Sequence, residues 1–355
     1  MSLFTLFTCS NKKMEDYKTK KVKYDVTPSA ADGYPCRILP GSMVGYAPVP
    51  YGHYLEASWG EGVFSWAVGD PTLIAPDTVF VEYYSITDDK FYRGIYPMDQ
   101  EKLYSLLSTK YKNYNGKEIG YYSFTMSVGT CGWVSLWIDG SAGSLEAGSF
   151  RAKEVEKNFE RIYPHMGSRA EYVKDCRADL PAFVQKEIAE KRLSSAYWER
   201  LATKYKWKLV INDSGFEVYN YDNDFINAER RLFASSGNWL TELNEKPIPL
   251  DLCFFIRHDR DPLRYKVWIK LVKTPDNMDN YEDRILYKMN RNRQLLDLFD
   301  RFYSEAGNEE VSLYVELSKN MKSARLLLKT ATKEQEIPGC FLRGIFNSDE
   351  YDIDR

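Results

Sequence analysis

Short segments in which apolar and polar residues alternate, separated by turn residues, recur along the chain and constrain its fold more than any other feature. The clearest is Val311–Leu317, in which Val and Leu residues alternate with more polar ones. A second is Tyr265–Leu271, in which Tyr, Val, Ile and Leu alternate with Lys and Trp. This alternation is typical of a strand with one buried and one solvated face. We therefore expect antiparallel sheets.

The same order of elements, two strands, a helix and two strands, is predicted twice. The first copy covers residues 79–138 and begins with a hairpin of strands 79–84 and 91–96, after which Asp99 is placed to cap the helix. The second copy covers residues 252–330. The sequence thus predicts an α+β fold of mostly antiparallel sheets with packed helices, in which the β-β-α-β-β units are candidates for a duplication.

Changes in composition along the 355 residues suggest four regions. We expect a signal remnant and tether over 1–30, a β-rich N-terminal α+β domain over 31–150, a helical connector over 151–205 and a C-terminal α+β domain over 206–355. In the connector, Val155, Phe159 and Ile162 have the spacing of one helical stripe.

The first residues resemble the end of a lipoprotein signal peptide, because a short apolar stretch with Leu and Phe precedes Cys9. We expect this cysteine to be acylated, which would anchor the protein to a membrane. Residues 11–25 hold six lysines and show little periodicity, so they are interpreted as a flexible tether. A frayed terminus with a chance cysteine, in a cytoplasmic protein, is the alternative.

Charge and motif content favour some functions over others. The chain has 48 basic and 51 acidic residues, which gives no global positive field, so no nucleic-acid partner is expected. The six cysteines include no CxxC pair, and the three histidines have no metal-ligand spacing, so no metal or cofactor is expected. No nucleophile elbow or phosphate-binding loop is present.

Aromatic residues crowd the first half of the chain. Two of them lie four apart in a predicted strand and so share one face. They could simply fill a core, but Trp and Tyr also dominate binding hot spots, so they are candidates for an aromatic platform that binds a protein or glycan. The candidate platform residues are Trp59, Trp66, Tyr83, Tyr92, Trp133 and Trp137.

Several of these stretches resemble the bacterial lipoproteins of domain-of-unknown-function family 2931. The similar parts are an aromatic strand pair at 79–85 and 90–94, a glycine turn with a Trp-bearing strand at 128–140, and a later Trp helix and strand at 196–201 and 205–209. Together they span roughly residues 45–235. The resemblance implies an envelope-anchored α+β protein of Gram-negative bacteria, with no reaction and no catalytic residue to carry over.

The function expected from the sequence is therefore that of a lipid-anchored cell-envelope protein that binds another macromolecule. One concrete version is an immunity protein that neutralises a toxin delivered to the envelope. The alternative is an envelope hydrolase or glycan-binding enzyme, which would need a concave pocket lined by Trp or Tyr with two carboxylates about 5–10 Å apart. Whether the protein is an enzyme stays open, with a non-enzymatic function favoured.

Overall fold

The computed structural model describes residues 17–347, apart from residues 57, 66–71, 114, 260, 274 and 276–277, and gives only the backbone of residues 261–263 and 347. The fold is α+β and rich in strands, most of which pair antiparallel, as predicted. It forms two compact units. Within the described chain, the first unit comprises residues up to 110, 119–141 and 146–195, and the second comprises residues 111–118, 142–145 and those from 196 onward.

The strands up to residue 155 lie in the first unit, except that residues 111–112, 118 and 143–145 belong to the second. They are β1 (Lys21–Lys23), β2 (Asp25–Ala30), β3 (Cys36–Ile38), β4 (Met43–Val44), β5 (Ala47–Pro48), β6 (Thr72–Ile74), β7 (Thr78–Ser85), β8 (Lys90–Pro97), β9 (Lys110–Lys112), β10 (Glu118–Val128), β11 (Trp133–Gly140), β12 (Gly143–Arg151) and β13 (Lys153–Val155). One sheet has the order β2-β10-β11-β12, and another has the order β13-β8-β7-β4-β5 with β3 also beside β7.

The hairpin predicted near residues 79–96 is confirmed, because β7 and β8 pair antiparallel from Thr78 with Pro97 to Ser85 with Lys90. The helix that follows is confirmed too. Its cap is Asp99, whose side chain accepts a hydrogen bond from the backbone N–H of Lys102 at 3.0 Å. This bond satisfies one of the N–H groups that a helix N-terminus leaves unpaired.

Helices cover one face of this hairpin. The helices of the first unit are α1 (Gln100–Ser108), α2 (Phe159–Ile162), α3 (Arg169–Ala178) and α4 (Ala182–Ala189). Phe159 of α2 and Val173 of α3 pack with Tyr84 and Phe91 of the hairpin in one buried cluster. The opposite face of β7 carries Val79, Val81 and Tyr83, each fully buried. The hairpin is therefore buried on both faces at its centre.

The strands of the second unit lie in two sheets, one of which continues from β12 through its pairing with β16 (Arg230–Leu232). Its strands are β14 (Tyr205–Ile211), β15 (Phe216–Phe225), β16 (Arg230–Leu232), β17 (Asn244–Lys246), β18 (Pro249–His258), β19 (Asp261–Lys270), β20 (Val311–Leu317), β21 (Ala324–Lys329), β22 (Glu334–Glu336) and β23 (Phe341–Asn347). Its helices are α5 (Ala196–Leu201), α6 (Phe233–Ser236) and α7 (Tyr281–Ala306). One sheet has the order β16-β15-β18-β19-β23, and the other β17-β14-β20-β21-β22.

The alternation that predicted strands in this unit reflects burial. In β20, the four apolar residues at alternate positions are buried and the three between them are half-buried. The predicted long helix is α7, and its buried stripe includes Ile285, Met289, Leu296, Phe299 and Phe302. Amphipathic elements of this kind gain most of their stability by burying one face.

Two expectations are wrong. Residues 21–23 and 25–30 form β1 and β2, so the described end of the expected tether is part of the fold. Its alternate residues Val22, Tyr24 and Val26 are buried. Val155 is not helical, because it ends β13 and pairs with Phe91.

The predicted order of two strands, a helix and two strands is present both at β7–β11, with β9 inserted after the helix, and at β18–β21. In each case the two pairs of strands lie in different sheets. Among the helices of the described chain, none is both long enough and apolar enough to cross a membrane.

Candidate functional site

The site centres on the turn Gly129–Trp133, which joins β10 to β11 in the first unit and was predicted as a tight turn between strands. Residues 130–132 form a single 3₁₀ turn. Cys131 has φ +53°, a left-handed conformation that is uncommon for a residue with a side chain. Gly132 has φ +82°, and a Cβ there would lie 2.2 Å from the carbonyl oxygen of Ala152. The turn therefore requires glycine at residue 132 for two independent reasons.

A half-buried carboxylate holds the turn. Asp88, in the turn of the β7–β8 hairpin, accepts the backbone N–H of Cys131 at 2.7 Å and the hydroxyl of Tyr92 at 3.1 Å, both on Oδ2. Burial raises the pKa of Asp88, and the Cys131 hydrogen bond opposes that shift. Burial also raises the pKa of the Cys131 thiol, and the charge of Asp88 adds to the effect. The thiol is thus kept protonated, and its Sγ contacts the Leu193 carbonyl oxygen at 3.6 Å.

The two hairpin tyrosines support the turn from the core. Tyr83 and Tyr92 face each other across the strands, with ring centroids 5.3 Å apart. The Tyr83 hydroxyl donates a hydrogen bond to the carbonyl oxygen of Gly129 at 2.9 Å. Burial raises the pKa of both hydroxyls, which keeps them as hydrogen-bond donors. Asp88 thereby fixes the turn at the N–H of Cys131, and Tyr83 fixes it at the carbonyl of Gly129.

Trp133 and Arg151 form the outer side of the site. The Arg151 guanidinium carbon lies 5.8 Å from the Trp133 ring centroid, within cation–π range, and its Nη1 donates to the carbonyl oxygen of Cys131 at 3.2 Å. Arg151 is exposed and Trp133 is half-buried. The indole N–H of Trp133 is buried and finds no acceptor among the described residues. The ring is therefore held by its cation–π contact with Arg151 and by packing.

The remaining tryptophans lie beside the turn. Trp59 and Trp137 make an edge-to-face contact, with centroids 5.5 Å apart and planes at 86°. Trp59 also lies next to Gly129, since a Cβ on that glycine would be 3.7 Å from its ring. Trp137 is 1% exposed, whereas Trp59 is half-buried.

The structure thus brings together every described residue of the predicted aromatic platform. Tyr83, Tyr92 and Trp137 are core residues, and only Trp59 and Trp133 reach the surface. The platform as a binding surface stays a prediction, and the structure limits the exposed rings to these two. Trp66 and the predicted lipidation residue Cys9 lie outside the described residues.

Asp88, Cys131 and Arg151 are the site residues that sequence reasoning missed. Asp88 lies in a predicted turn, and nothing local indicates that it reaches Cys131, which is 43 residues further along the chain. The Gly129 to Gly132 pattern did indicate a turn, but it gave no sign of the Asp88 carboxylate that holds it. A polar residue in a turn between two strongly apolar strands was the one available signal.

Among the described residues of the second unit are a cleft of about 390 Å³ and another of about 490 Å³. The first is lined by Asp213, His258 and Tyr265 among others, and the second by Glu309, Glu310 and Tyr314 among others. The His258 side chain lies 3.0 Å from Asp259 and 3.5 Å from Asp213. Across the described part of the chain, no three His, Cys, Asp or Glu residues group as metal ligands would, and the cysteines described are free thiols.

Comparison with known proteins places the site within a family. The model of the family described as Protein of unknown function (DUF2931) matches residues 10–208, which is more than half of the chain. This range includes the Gly129–Trp133 turn and its surroundings. No curated protein and no solved structure matches the chain.

Proposed function

The chain belongs to the family of proteins of unknown function DUF2931, and from its geometry we propose that it is a lipid-anchored cell-envelope protein that binds another protein. The binding surface is the Trp133–Arg151 surface, defined by the Trp133 ring and the Arg151 guanidinium within cation–π distance of it. The single observation that carries the proposal is this cation–π pair, in which Trp133 directly follows a turn whose backbone is held by Asp88 and Tyr83.

The residue types fit this role. Trp, Tyr and Arg are the residues most enriched among binding hot spots, because they bury a large area and carry directed hydrogen-bond donors. Arg151 is exposed and one of its guanidinium N–H groups donates to the carbonyl oxygen of Cys131, and Trp59 adds a second ring near the same turn. A protein carbonyl or carboxylate is the natural acceptor for such a group.

Rigidity of the turn supports the same conclusion. Asp88 accepts the N–H of Cys131 and Tyr83 donates to the carbonyl of Gly129, so the backbone that presents Trp133 is constrained before any partner arrives. Pre-organised side chains lose less conformational entropy when they bind. Left-handed backbone at a non-glycine residue, as at Cys131, occurs preferentially at functional sites.

Membrane attachment rests on the sequence. Cys9 follows a short apolar stretch of the kind that precedes an acylated cysteine. Labelling of cells with a palmitate analogue, with the gene expressed from its natural upstream region, tests this part. We expect label in the membrane fraction that is lost in Cys9→Ala, and an unlabelled protein would remove the anchor from the proposal.

Recovery of the partner tests the binding. Tagged protein is cross-linked chemically in cells and purified, and the recovered proteins are compared between wild type, Arg151→Ala and Arg325→Ala. Arg325 is a matched control because it is an exposed arginine that pairs with Glu316 and Glu336 in the second unit. We expect one protein to be recovered about tenfold less with Arg151→Ala alone, which corresponds to about 1.4 kcal/mol. Equal recovery with all three chains, or recovery of a glycan in place of a protein, would contradict the proposal.

A further inference from the structure

The outward face of the β15-β18-β19-β23 sheet carries a cluster of cations around an aromatic side chain. The pairing places Cys253 opposite Trp268, and Trp268 opposite Gly344. Their neighbours Val267 and Ile269 point to the other face and are buried, so Trp268 belongs to the outward face.

Three cations surround the Trp268 ring. The guanidinium carbon of Arg343 lies 3.8 Å from the ring centroid, and the Nζ atoms of Lys266 and Lys270 lie at 4.8 and 5.5 Å. Like charges gathered this closely repel one another, and the negative face of the indole offsets only part of that repulsion. An anion bound beside them would relieve the rest.

Several charges of this face are already paired. Arg257 binds Glu217 at 2.7 Å, Arg230 binds Asp222 at 2.6 Å and Lys270 lies 3.4 Å from Asp251. By contrast, Arg264, Lys266 and Arg343 have no carboxylate at ion-pair distance among the described residues. The uncompensated positive charge therefore lies on β19 and β23, which form one side of the sheet.

The same side of the sheet offers a backbone edge. Strand β23 pairs with β19, and no other strand of the described chain pairs with it. Such an edge presents N–H and C=O groups that can pair with an extended peptide. On this edge strand, Phe341 is 41% exposed, and the Nζ of Lys273 lies 4.0 Å from its ring centroid.

We propose that this face, defined by Arg264, Lys266, Trp268 and Arg343 together with the edge of β23, binds an extended acidic polypeptide segment. An added strand would lie about 4.8 Å beyond β23, and its alternate side chains would repeat about every 6.8 Å, as those of Arg264 and Lys266 do along β19. Acidic side chains at alternate positions would then point toward the cations. A nucleic acid could use the charges but not the backbone edge.

The test uses the purified full chain and a fluorescent peptide of about 12 residues that alternates Glu and Thr, a length that spans β23. The test variant removes the free charges as Arg264→Gln, Lys266→Gln and Arg343→Gln. The control variant removes three exposed cations elsewhere in the second unit, as Arg284→Gln, Arg301→Gln and Lys322→Gln. Circular dichroism of both variants verifies that they fold.

We expect the peptide to bind the wild type and the control variant, and to bind the test variant at least about tenfold more weakly, with affinity falling as salt is added. A peptide that alternates Gln and Thr should not bind. The proposal is overturned if the test variant binds as well as the wild type, or if an oligothymidylate of similar length binds more tightly than the peptide. The proposal is also overturned if a chain that ends at Asn347 binds the peptide more tightly than the full chain does. That result would mean that residues 349–354 of the chain itself, and not a partner, bind this face.

Discussion

Replacement of Asp88 tests directly whether its half-buried carboxylate holds the Gly129–Trp133 turn. In the structure its Oδ2 accepts hydrogen bonds from the Cys131 N–H at 2.7 Å and the Tyr92 hydroxyl at 3.1 Å. Asp88→Ala removes the acceptor and leaves both donors unpaired. Asp88→Asn keeps one amide oxygen but loses the charge that shortens and strengthens such bonds.

The size of the effect follows from burial of the two donors. An unpaired donor in a buried site costs about 1–3 kcal/mol. Tyr92 is 6% exposed, whereas Cys131 is half-buried and water can reach it in part. We therefore expect Asp88→Ala to lower the free energy of unfolding by about 2–4 kcal/mol and Asp88→Asn by about 1–2 kcal/mol.

Urea unfolding followed by tryptophan fluorescence measures this, with Asp77→Ala as the control for loss of an exposed aspartate in the same unit. Alkylation of Cys131, resolved by mass spectrometry, gives a second readout. We expect the thiol to react faster in Asp88→Ala, because the turn that shields it loosens. A variant as stable as the wild type to within about 0.5 kcal/mol, with unchanged alkylation, would refute the reasoning.

Three further predictions concern stability. Gly132→Ala should lower the free energy of unfolding by about 2 kcal/mol or more, because its Cβ would clash with the Ala152 carbonyl. Gly116→Ala is also at positive φ but in open space, so it should cost only the backbone strain of about 1–2 kcal/mol. Urea titration compares the two variants. Burial lowers the pKa of Lys246 to about 7, so the unfolded chain binds this proton more tightly than the folded protein does. The free energy of unfolding, compared with that of Lys246→Met, should therefore rise between about pH 7 and about pH 10. A constant difference between the two proteins across this range would contradict the argument. Glu229 is 1% exposed and pairs with Lys204 at 2.7 Å and with Arg231 at 2.8 Å. Glu229→Ala should therefore lower the free energy of unfolding by about 3–5 kcal/mol in the same urea titration. A loss below about 1 kcal/mol would contradict the expected cost of breaking a buried ion pair.

Much of the fold could be predicted because its signals are local. The β7–β8 hairpin, the Asp99 cap and the alternation in β20 each depend on residues within a few positions of one another. Strand Lys21–Lys23 escaped prediction because its lysines resemble a tether, while its partner Thr72–Ile74 lies about fifty residues away. The spacing of Val155 to Phe159 predicts a helix, yet the pairing of Val155 with Phe91 decides its conformation.

The candidate site shows the same division between local and long-range signals. The glycine turn and the aromatic residues were visible in the sequence, and the structure brings the described ones together. Which rings are buried depends on sheet packing, and the role of Asp88 depends on a contact between two turns far apart in the chain. The surroundings of Lys246 also depend on long-range contacts. Its ammonium group lies among backbone carbonyl groups and the rings of Trp207 and Trp239, which come together only in the folded protein.

The most direct test of the binding function is photo-cross-linking in intact cells. A photoreactive amino acid is placed at position 153, an exposed position beside Arg151 that leaves the arginine in place, and separately at position 325 as the exposed control. We predict one discrete protein adduct from position 153, found in the membrane fraction, and none from position 325. No adduct from position 153, or the same adducts from both positions, would contradict the assignment of the Trp133–Arg151 surface as a binding surface.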